Sequence, residues 1–161
     1  MLELFSGYSI DTSALIDLWR RYYPPDIFPS LWKKLEDLVS KGSLIATHKV
    51  YEELKKYFDM NDELLKWVKK HKKMFRNLDN DQLTHLSEII KHYPEFVDSD
   101  KTLPEADPFV IALAKSKGWT VVTSERPANP GGRLKIPDVC EKCNIKSVSI
   151  IEFFREQGWN F

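Results

Sequence analysis

Residues 105–125 read Glu-Ala-Asp-Pro-Phe-Val-Ile-Ala-Leu-Ala-Lys-Ser-Lys-Gly-Trp-Thr-Val-Val-Thr-Ser-Glu, a stretch with acidic residues near both ends. Its apolar pattern predicts a helix over residues 107–118 and a buried strand over residues 119–123. Short apolar runs at residues 43–47 and 147–150 predict two further strands. Apolar strands that alternate with helices are typical of a parallel sheet covered on both faces. The sequence therefore predicts an α/β fold.

Helical spacing of apolar residues predicts helices along much of the remaining chain. They are expected over residues 12–21, 28–42, 50–58, 61–75, 79–93 and 151–157, with a helical turn at 137–143 and a Pro- and Gly-rich loop at 126–133. Residues 8–11 are expected to form the first strand, which could continue from Leu4. The sequence has no internal repeat or linker, so we expect a single domain over residues 1–161.

The composition excludes several functional classes. The chain has 161 residues with 24 basic and 24 acidic side chains, and its formal net charge is zero. The overall charge therefore gives no reason to expect nucleic acid or a membrane as partner, and a polyanion would need a local patch or bound cations. The first residues lack a signal peptide, and no run approaches the ~20 apolar residues that cross a bilayer. We expect a cytoplasmic protein.

Acidic residues lie where two predicted parallel strands end. Asp11 ends the first strand, and Glu125 follows the strand at residues 119–123. The carboxyl ends of parallel strands share one edge of the sheet, where active residues gather. Asp107 opens a helix, but Asp followed by Pro is also typical of a plain N-cap. Asp11 could likewise be only a cap, and Glu125 only a solvated turn residue.

Glu53 is a fourth candidate, on geometric grounds. With Val50, Leu54, Tyr57 and Phe58 facing inward, 3.6 residues per turn places Glu52 in solvent and Glu53 at the edge of the buried face. A carboxylate at that edge can lean over the rim of the core. The alternative is a boundary glutamate that pairs with Lys49 or Lys56.

Carboxylates crowded on one rim repel one another and raise their own pKa values. A divalent cation removes that cost, and Mg²⁺ and Mn²⁺ prefer such hard oxygen ligands. A bound cation would let a negative pocket accept a phosphodiester, and could activate water and stabilise the leaving oxygen.

Four segments together resemble the PIN-domain nucleases, and more closely a prokaryotic PIN-like family described as a domain of unknown function. The segments are Ser-Ile-Asp-Thr-Ser-Ala-Leu-Ile (9–16), Val-Tyr-Glu-Glu-Leu (50–54), Ala-Asp-Pro-Phe-Val-Ile-Ala-Leu-Ala (106–114) and Thr-Val-Val-Thr-Ser-Glu (120–125). The tail Lys-Ile-Pro-Asp-Val-Cys (135–140) resembles the narrower family. Their order and spacing cover most of the chain.

The resemblance implies a three-layer PIN-like fold, a central parallel sheet flanked by helices, with Mg²⁺ or Mn²⁺ at the acids. Asp11, Glu53 and Asp107 match the family's acids, whereas Glu125 stands where most relatives have Asp. The longer arm could hold a metal-bound water instead of the metal. Neighbouring hydroxyl groups would support these ligands by hydrogen bonds, and they belong to Ser13, Thr123 and Ser124.

The resemblance also implies an activity, the hydrolysis of RNA or DNA, and many such proteins are RNA-cutting toxins of toxin–antitoxin pairs. RNA is then the expected substrate, with an antitoxin protein or a second copy of the chain as partners. The alternative is a PIN-like binding or regulatory module without turnover. An aspartyl phosphatase is disfavoured, because its second acid would stand at Ser13.

Two other patterns carry weaker indications. Cys140 and Cys143 form a Cys-x-x-Cys pair, but a structural zinc ion takes four ligands and no second pair is present. They are expected to be buried or idle thiols. The basic run at residues 66–76 interleaves lysines with Trp67, His71 and Phe75. It could follow a phosphate backbone with an aromatic ring for stacking, or form a solvated helix face.

Overall fold

The computed structural model describes residues 6–97 and 105–161. Five strands form one sheet: Tyr8–Ile10 (β1), Leu44–Thr47 (β2), Phe75–Arg76 (β3), Thr120–Val122 (β4) and Ser147–Val148 (β5). Leu4, where the first strand could have begun, lies outside the described residues. The strands predicted at residues 8–11, 43–47, 119–123 and 147–150 are therefore present, and β3 is additional.

The described helices follow the predicted pattern closely. The α-helices are Thr12–Ile16 (α1), Pro29–Ser40 (α2), His48–Tyr57 (α3), Glu63–Lys70 (α4), Asn80–His92 (α5), Asp107–Lys117 (α6), Ile136–Lys142 (α7) and Ile150–Glu156 (α8). A π-helix, Asp17–Tyr22, continues α1, and short 3₁₀ turns lie at Lys72–Met74 and Pro94–Phe96. Within the described part of the chain, no helix is long and apolar enough to cross a membrane.

All strand pairs in the sheet are parallel, and the order is β3-β2-β1-β4-β5. The chain leaves β1 toward one side of the sheet and later returns to β4 on the other side. This reversal makes the boundary between β1 and β4 a topological switch point, where open α/β sheets bind their ligands beyond the carboxyl ends of the strands.

Helices cover both faces of the sheet. Ser9 Oγ donates to the Val110 carbonyl of α6 at 2.9 Å, so Ser9 faces that helix. Neighbouring side chains of a strand point to opposite faces, and the ring of Tyr8 meets Phe153 of α8 at 4.7 Å. The α/β fold with three layers, a parallel sheet between helices, is confirmed.

Helix α6 is the central helix of one layer. Its residues from Val110 to Ala114 are all buried, because α6 packs against β1, β2 and β4 and is itself covered by α5 and α7. A helix that is apolar all round is expected in such a position. Gly118 ends it with φ +69°, a left-handed conformation that glycine adopts at little cost.

The helix predicted over residues 61–75 is wrong in its last third. Helix α4 ends at Lys70, and Phe75 and Arg76 pair in parallel with Ala46 and Thr47 of β2. A two-residue strand has no visible alternation in sequence, so pairing with the sheet edge overrides the helical pattern.

The predicted inward face of α3 is also wrong in part. Tyr57 is 59% exposed, because α3 ends there and the ring lies beside a cleft instead of the core. On α5, Leu83 and Ile90 are exposed, whereas Gln82 is buried and donates to the Asn77 carbonyl at 3.0 Å. Helix α5 packs mainly on α6, so residues that turn away from α6 stay in solvent.

Candidate active site

The four predicted acids line a single cleft of about 250 Å³. Asp11 follows β1, Glu53 lies on α3, Asp107 opens α6 and Glu125 follows β4. The remaining lining residues are Thr12, Ser13, Ile16, Tyr57 and Glu105. The cleft lies at the switch point between β1 and β4. The structure thus brings the four acids together, and their functional roles stay a prediction.

Asp11 is buried, with only 2% of its surface exposed, and is held by several donors. Its Oδ1 caps α1 by accepting from the Ala14 backbone N–H at 2.8 Å, and Ser13 Oγ lies 2.9 Å from both carboxylate oxygens. Thr123 Oγ1 donates to Oδ2 at 2.5 Å. Burial nonetheless raises the pKa of Asp11 to about 7, and the negative charge of Glu125 raises it by a smaller amount. Asp11 is both a helix cap and a cleft residue.

The hydroxyl groups of Ser13 and Thr123 connect the ends of β1 and β4. Ser13 Oγ accepts from the Ser124 backbone N–H at 3.2 Å, and Thr123 Oγ1 accepts from the Glu125 backbone N–H at 3.0 Å. The same two hydroxyls donate to Asp11. They fix its orientation relative to the loop after β4, as expected of groups that support a ligand. Ser124 takes part through its backbone.

Asp107 does not cap its own helix, so the plain N-cap interpretation is wrong. The N-cap position is Ala106, and Asp107 is the first helical residue. Among the described residues its carboxylate has no hydrogen-bond or ion-pair partner. The pKa of Asp107 is raised to about 8, mainly because its carboxylate is desolvated. Neighbouring negative charges raise it further, in the order Glu125, Asp11, Glu53 and Glu105. This half-buried carboxylate faces a cleft of like charges, and no side chain in the described part of the chain forms an ion pair with it.

Glu53 leans into the cleft as the helical geometry predicts. Its Oε1 accepts from the Ala106 backbone N–H at 2.6 Å, immediately before Asp107. Lys49, which the sequence offered as a partner for Glu53, pairs instead with the exposed Glu52 at 3.3 Å. Glu53 therefore fixes the start of α6 against α3.

We expect Glu53→Ala to lower the free energy of unfolding by about 1–3 kcal/mol, because it leaves the Ala106 N–H without an acceptor. Glu53→Gln keeps an acceptor oxygen and should unfold within ~0.5 kcal/mol of the wild type. Urea titrations of both variants measure this difference. Equal losses in the two variants would show that the charge of Glu53, and not its hydrogen bond, stabilises the start of α6.

Glu125 is held by the loop that follows it. Its Oε2 accepts from the Ile136 backbone N–H at 2.9 Å, and Asp138 Oδ2 accepts from Ala128 N at 3.0 Å and Lys135 N at 2.8 Å. Asp138 thus closes the loop whose end positions Glu125. The sequence did not single out Asp138, because Lys at the N-cap position 135 lacks the side-chain oxygen that marks a capping box.

Cationic side chains adjoin the acids. One neighbouring cleft contains Arg21 beside Ser13 and Glu125. Another contains Arg133 and Lys135 beside Asp107 and Glu125. No sequence pattern singles out these three residues, because they lie on a π-helix and on the loop before α7. Positive groups thus lie next to the acidic cleft, and one of them, Arg21, pairs with Asp17 at 3.4 Å.

The chemistry of the donors limits which metal could bind. In residues 6–97 and 105–161, no group of three or more His, Cys, Asp or Glu side chains is arranged to hold a metal ion directly. Asp11, Glu53 and Glu125 each accept from a backbone N–H, whereas Asp107 makes no such bond within the described residues. Asp107 is therefore the acid nearest to a direct role, with a second carboxylate of the cleft beside it. Two carboxylates, with waters and phosphate completing the shell, are the donor set that Mg²⁺ ordinarily uses.

The cysteine pair forms no second site. Cys140 is fully buried and Cys143 is half-buried, and both are free thiols. Burial raises the pKa of Cys140 to about 12, so its thiol stays protonated and unreactive. This agrees with the expectation of buried or idle thiols.

The family profile of DUF4411, described as a domain of unknown function, matches residues 8–161. The match spans nearly the whole chain, so the chain belongs to this family. No curated protein matches the sequence.

A solved structure supports the fold assignment. The chain is similar to VapBC2 from Rickettsia felis, determined bound to a DNA fragment from its promoter, with a TM-score of 0.56 and 13% sequence identity. The match covers 88% of this chain and 97% of the other. At this identity the likeness concerns the fold, and it confirms the PIN-like architecture and the resemblance drawn from the four sequence segments.

Proposed function

We propose that the chain is a metal-dependent ribonuclease that hydrolyses RNA phosphodiester bonds at the acidic cleft. The observation that carries this proposal is Asp107, a half-buried carboxylate among like charges without a hydrogen-bond or ion-pair partner in the described residues. A carboxylate that only supported the fold would be expected to have such a partner.

Asp11 and Asp107 would hold Mg²⁺ or Mn²⁺, with Glu53 and Glu125 as further ligands or holders of a metal-bound water. When bound, the cation would lower the pKa of a water and stabilise charge on the leaving oxygen. These two aspartates have raised pKa values, so a cation would favour their ionised forms.

The protein's own groups would orient the reactants. Ser13 and Thr123 hold the carboxylate of Asp11 in one direction through their hydroxyls. Lys135 and Arg21, which lie beside the acids, would contact phosphates that flank the scissile bond, although Arg21 is also paired with Asp17 at 3.4 Å. The reaction would be an in-line attack of water on phosphorus without a covalent enzyme intermediate.

We further propose that the protein is the toxin of a toxin–antitoxin pair, with an antitoxin protein as partner. The fold likeness to VapBC2 supports this role. The second candidate is a non-catalytic binding module of the same fold. A direct assay distinguishes them, in which the purified chain is incubated with several single-stranded RNAs and Mn²⁺, with EDTA as control. Cleavage that depends on Mn²⁺ supports the enzyme, and no cleavage of any RNA favours the binding module.

Metal should also stabilise the fold, because folding gathers the acids. Binding to the native state alone adds about 2.7 kcal/mol at a hundredfold excess over Kd. Thermal unfolding with and without millimolar Mn²⁺ measures this gain. We expect Asp11→Asn to lose much of it, whereas Glu52→Gln, at an exposed carboxylate on α3, should keep it. No shift in the wild type, or an equal shift in Asp11→Asn, would contradict tight metal binding at this site.

A further inference from the structure

A second cleft, with a volume of about 640 Å³, is lined by basic residues and contains no Asp or Glu. We refer to it as the basic cleft. Its lining residues are Val39, Ser40, Lys41, Gly42, Lys70, His71, Lys72, Lys73 and Arg76. In a chain with no net charge, this is a local concentration of positive side chains.

The basic cleft is separate from the acidic cleft. Residues 41–42 immediately precede β2, and residues 70–73 precede β3. The basic cleft therefore lies near the amino ends of these two parallel strands, whereas Asp11 and Glu125 follow the carboxyl ends of β1 and β4. The two clefts lie toward opposite edges of the sheet, and a ligand in the basic cleft would not touch the candidate active site.

Most of the positive charges in the basic cleft are not neutralised by the chain. Lys41 pairs with Asp37 at 2.8 Å. Within residues 6–97 and 105–161, Lys70, Lys72, Lys73 and Arg76 form no ion pair. Such charges are ordinarily spread among acidic neighbours on a surface, and here they converge on one cavity. The cleft is therefore electrostatically suited to an anion.

Arg76 gives a second, independent indication of an anionic ligand. Its Nε is buried and has no hydrogen-bond acceptor among the residues that the structure describes. The guanidinium reaches back beside Gly42, where a Cβ would lie 3.6 Å from its Nη2. Buried donors are nearly always satisfied, and the planar fork of arginine matches the oxygens of a phosphate. An acceptor from outside the chain would complete this group.

We propose that the basic cleft binds the phosphate groups of a nucleic-acid strand. Its volume and the run of cations along residues 70–76 exceed what one phosphate needs. Recognition would rest on charge and not on base stacking, because Trp67 is buried and donates Nε1 to Glu36 at 2.9 Å. Trp67 is therefore unavailable for stacking, and binding through phosphate contacts should be independent of base sequence.

The test is a binding measurement in EDTA, so its result does not depend on whether the acidic cleft hydrolyses RNA. Fluorescence anisotropy follows a short labelled single-stranded RNA, and separately a DNA duplex, over a range of KCl concentrations. The variant carries Lys70→Ala, Lys72→Ala and Lys73→Ala. The control carries Lys91→Ala, Lys115→Ala and Lys142→Ala, which remove the same charge from exposed lysines on α5, α6 and α7.

We expect the cleft variant to bind RNA about tenfold more weakly or worse, with a salt slope smaller by about 2, because each lost contact removes ~0.7 on a single strand. The control should bind like the wild type. Loss on RNA alone would assign the cleft to single strands, and loss on both probes to either nucleic acid. Undetectable binding by the wild type, unchanged binding by the cleft variant, or equal losses in both triple variants would overturn the proposal.

Discussion

Replacing Asp107 with asparagine is expected to reduce Mn²⁺-dependent cleavage of single-stranded RNA far below the wild-type rate, by more than the ~10–100-fold loss typical of groups that only orient a ligand. The substitution removes the charge that would balance the cation and changes little else. Asp107 makes no cap bond and has no hydrogen-bond partner among the described residues, so no native contact is broken.

The stability of the same variant without metal separates this role from a structural one. Relief of repulsion from the neighbouring acids should keep the free energy of unfolding level or raise it, against a loss of at most ~1 kcal/mol from the helix dipole. Asp81→Asn is the matched control, because Asp81 lies in the first turn of α5, away from the cleft. Undiminished cutting by Asp107→Asn would remove Asp107 from the reaction.

The second large effect is on the pH dependence of stability without metal. Folding raises the pKa of Asp11 to about 7 and that of Asp107 to about 8, from ordinary values near 4. Between those limits the native state holds protons that the unfolded chain has released, so these groups make unfolding easier as pH rises. The contribution of these two groups to the free energy of unfolding is fully present below about pH 4 and is lost by about pH 8. The loss over this range amounts to several kcal/mol.

Urea unfolding in EDTA at about pH 5 and about pH 8 measures this change. In Asp107→Asn the free energy of unfolding should fall less between these pH values, because the contribution of Asp107 is absent. Asp81→Asn should show the same fall as the wild type. Saturating Mn²⁺ should oppose the decline, because metal competes with protons for the same oxygens. Identical pH profiles for the wild type and Asp107→Asn would show that Asp107 does not titrate as its surroundings require.

The long elements and the meeting of the acids could be predicted from the sequence, because both follow from local rules. Strands with apolar runs and a parallel arrangement bring Asp11 and Glu125 to one edge, and helical geometry places Glu53 at the edge of the buried face. The two-residue strand β3 could not be predicted, since only its pairing with β2 defines it.

The finer geometry of the cleft also lay beyond the sequence. Asp-Pro at residues 107–108 suggested a cap, but α6 begins at Asp107 without a side-chain cap bond. Glu53, distant in sequence, accepts from the Ala106 N–H just before it. The bond from Ile136 to Glu125 depends on a loop closed by Asp138. Contacts of this kind are set by tertiary packing and leave no periodic signal.

Three of the cleft carboxylates each accept a hydrogen bond from backbone at the start of a different helix: Asp11 at α1, Glu53 at α6 and Glu125 at α7. An amide oxygen accepts from the same N–H groups, so Asn or Gln could replace each acid while retaining these bonds. Chemistry at the cleft and integrity of the fold are therefore separable over evolutionary time. Under the proposed function, a single substitution of this kind would abolish hydrolysis and leave a folded protein that is free to acquire another role.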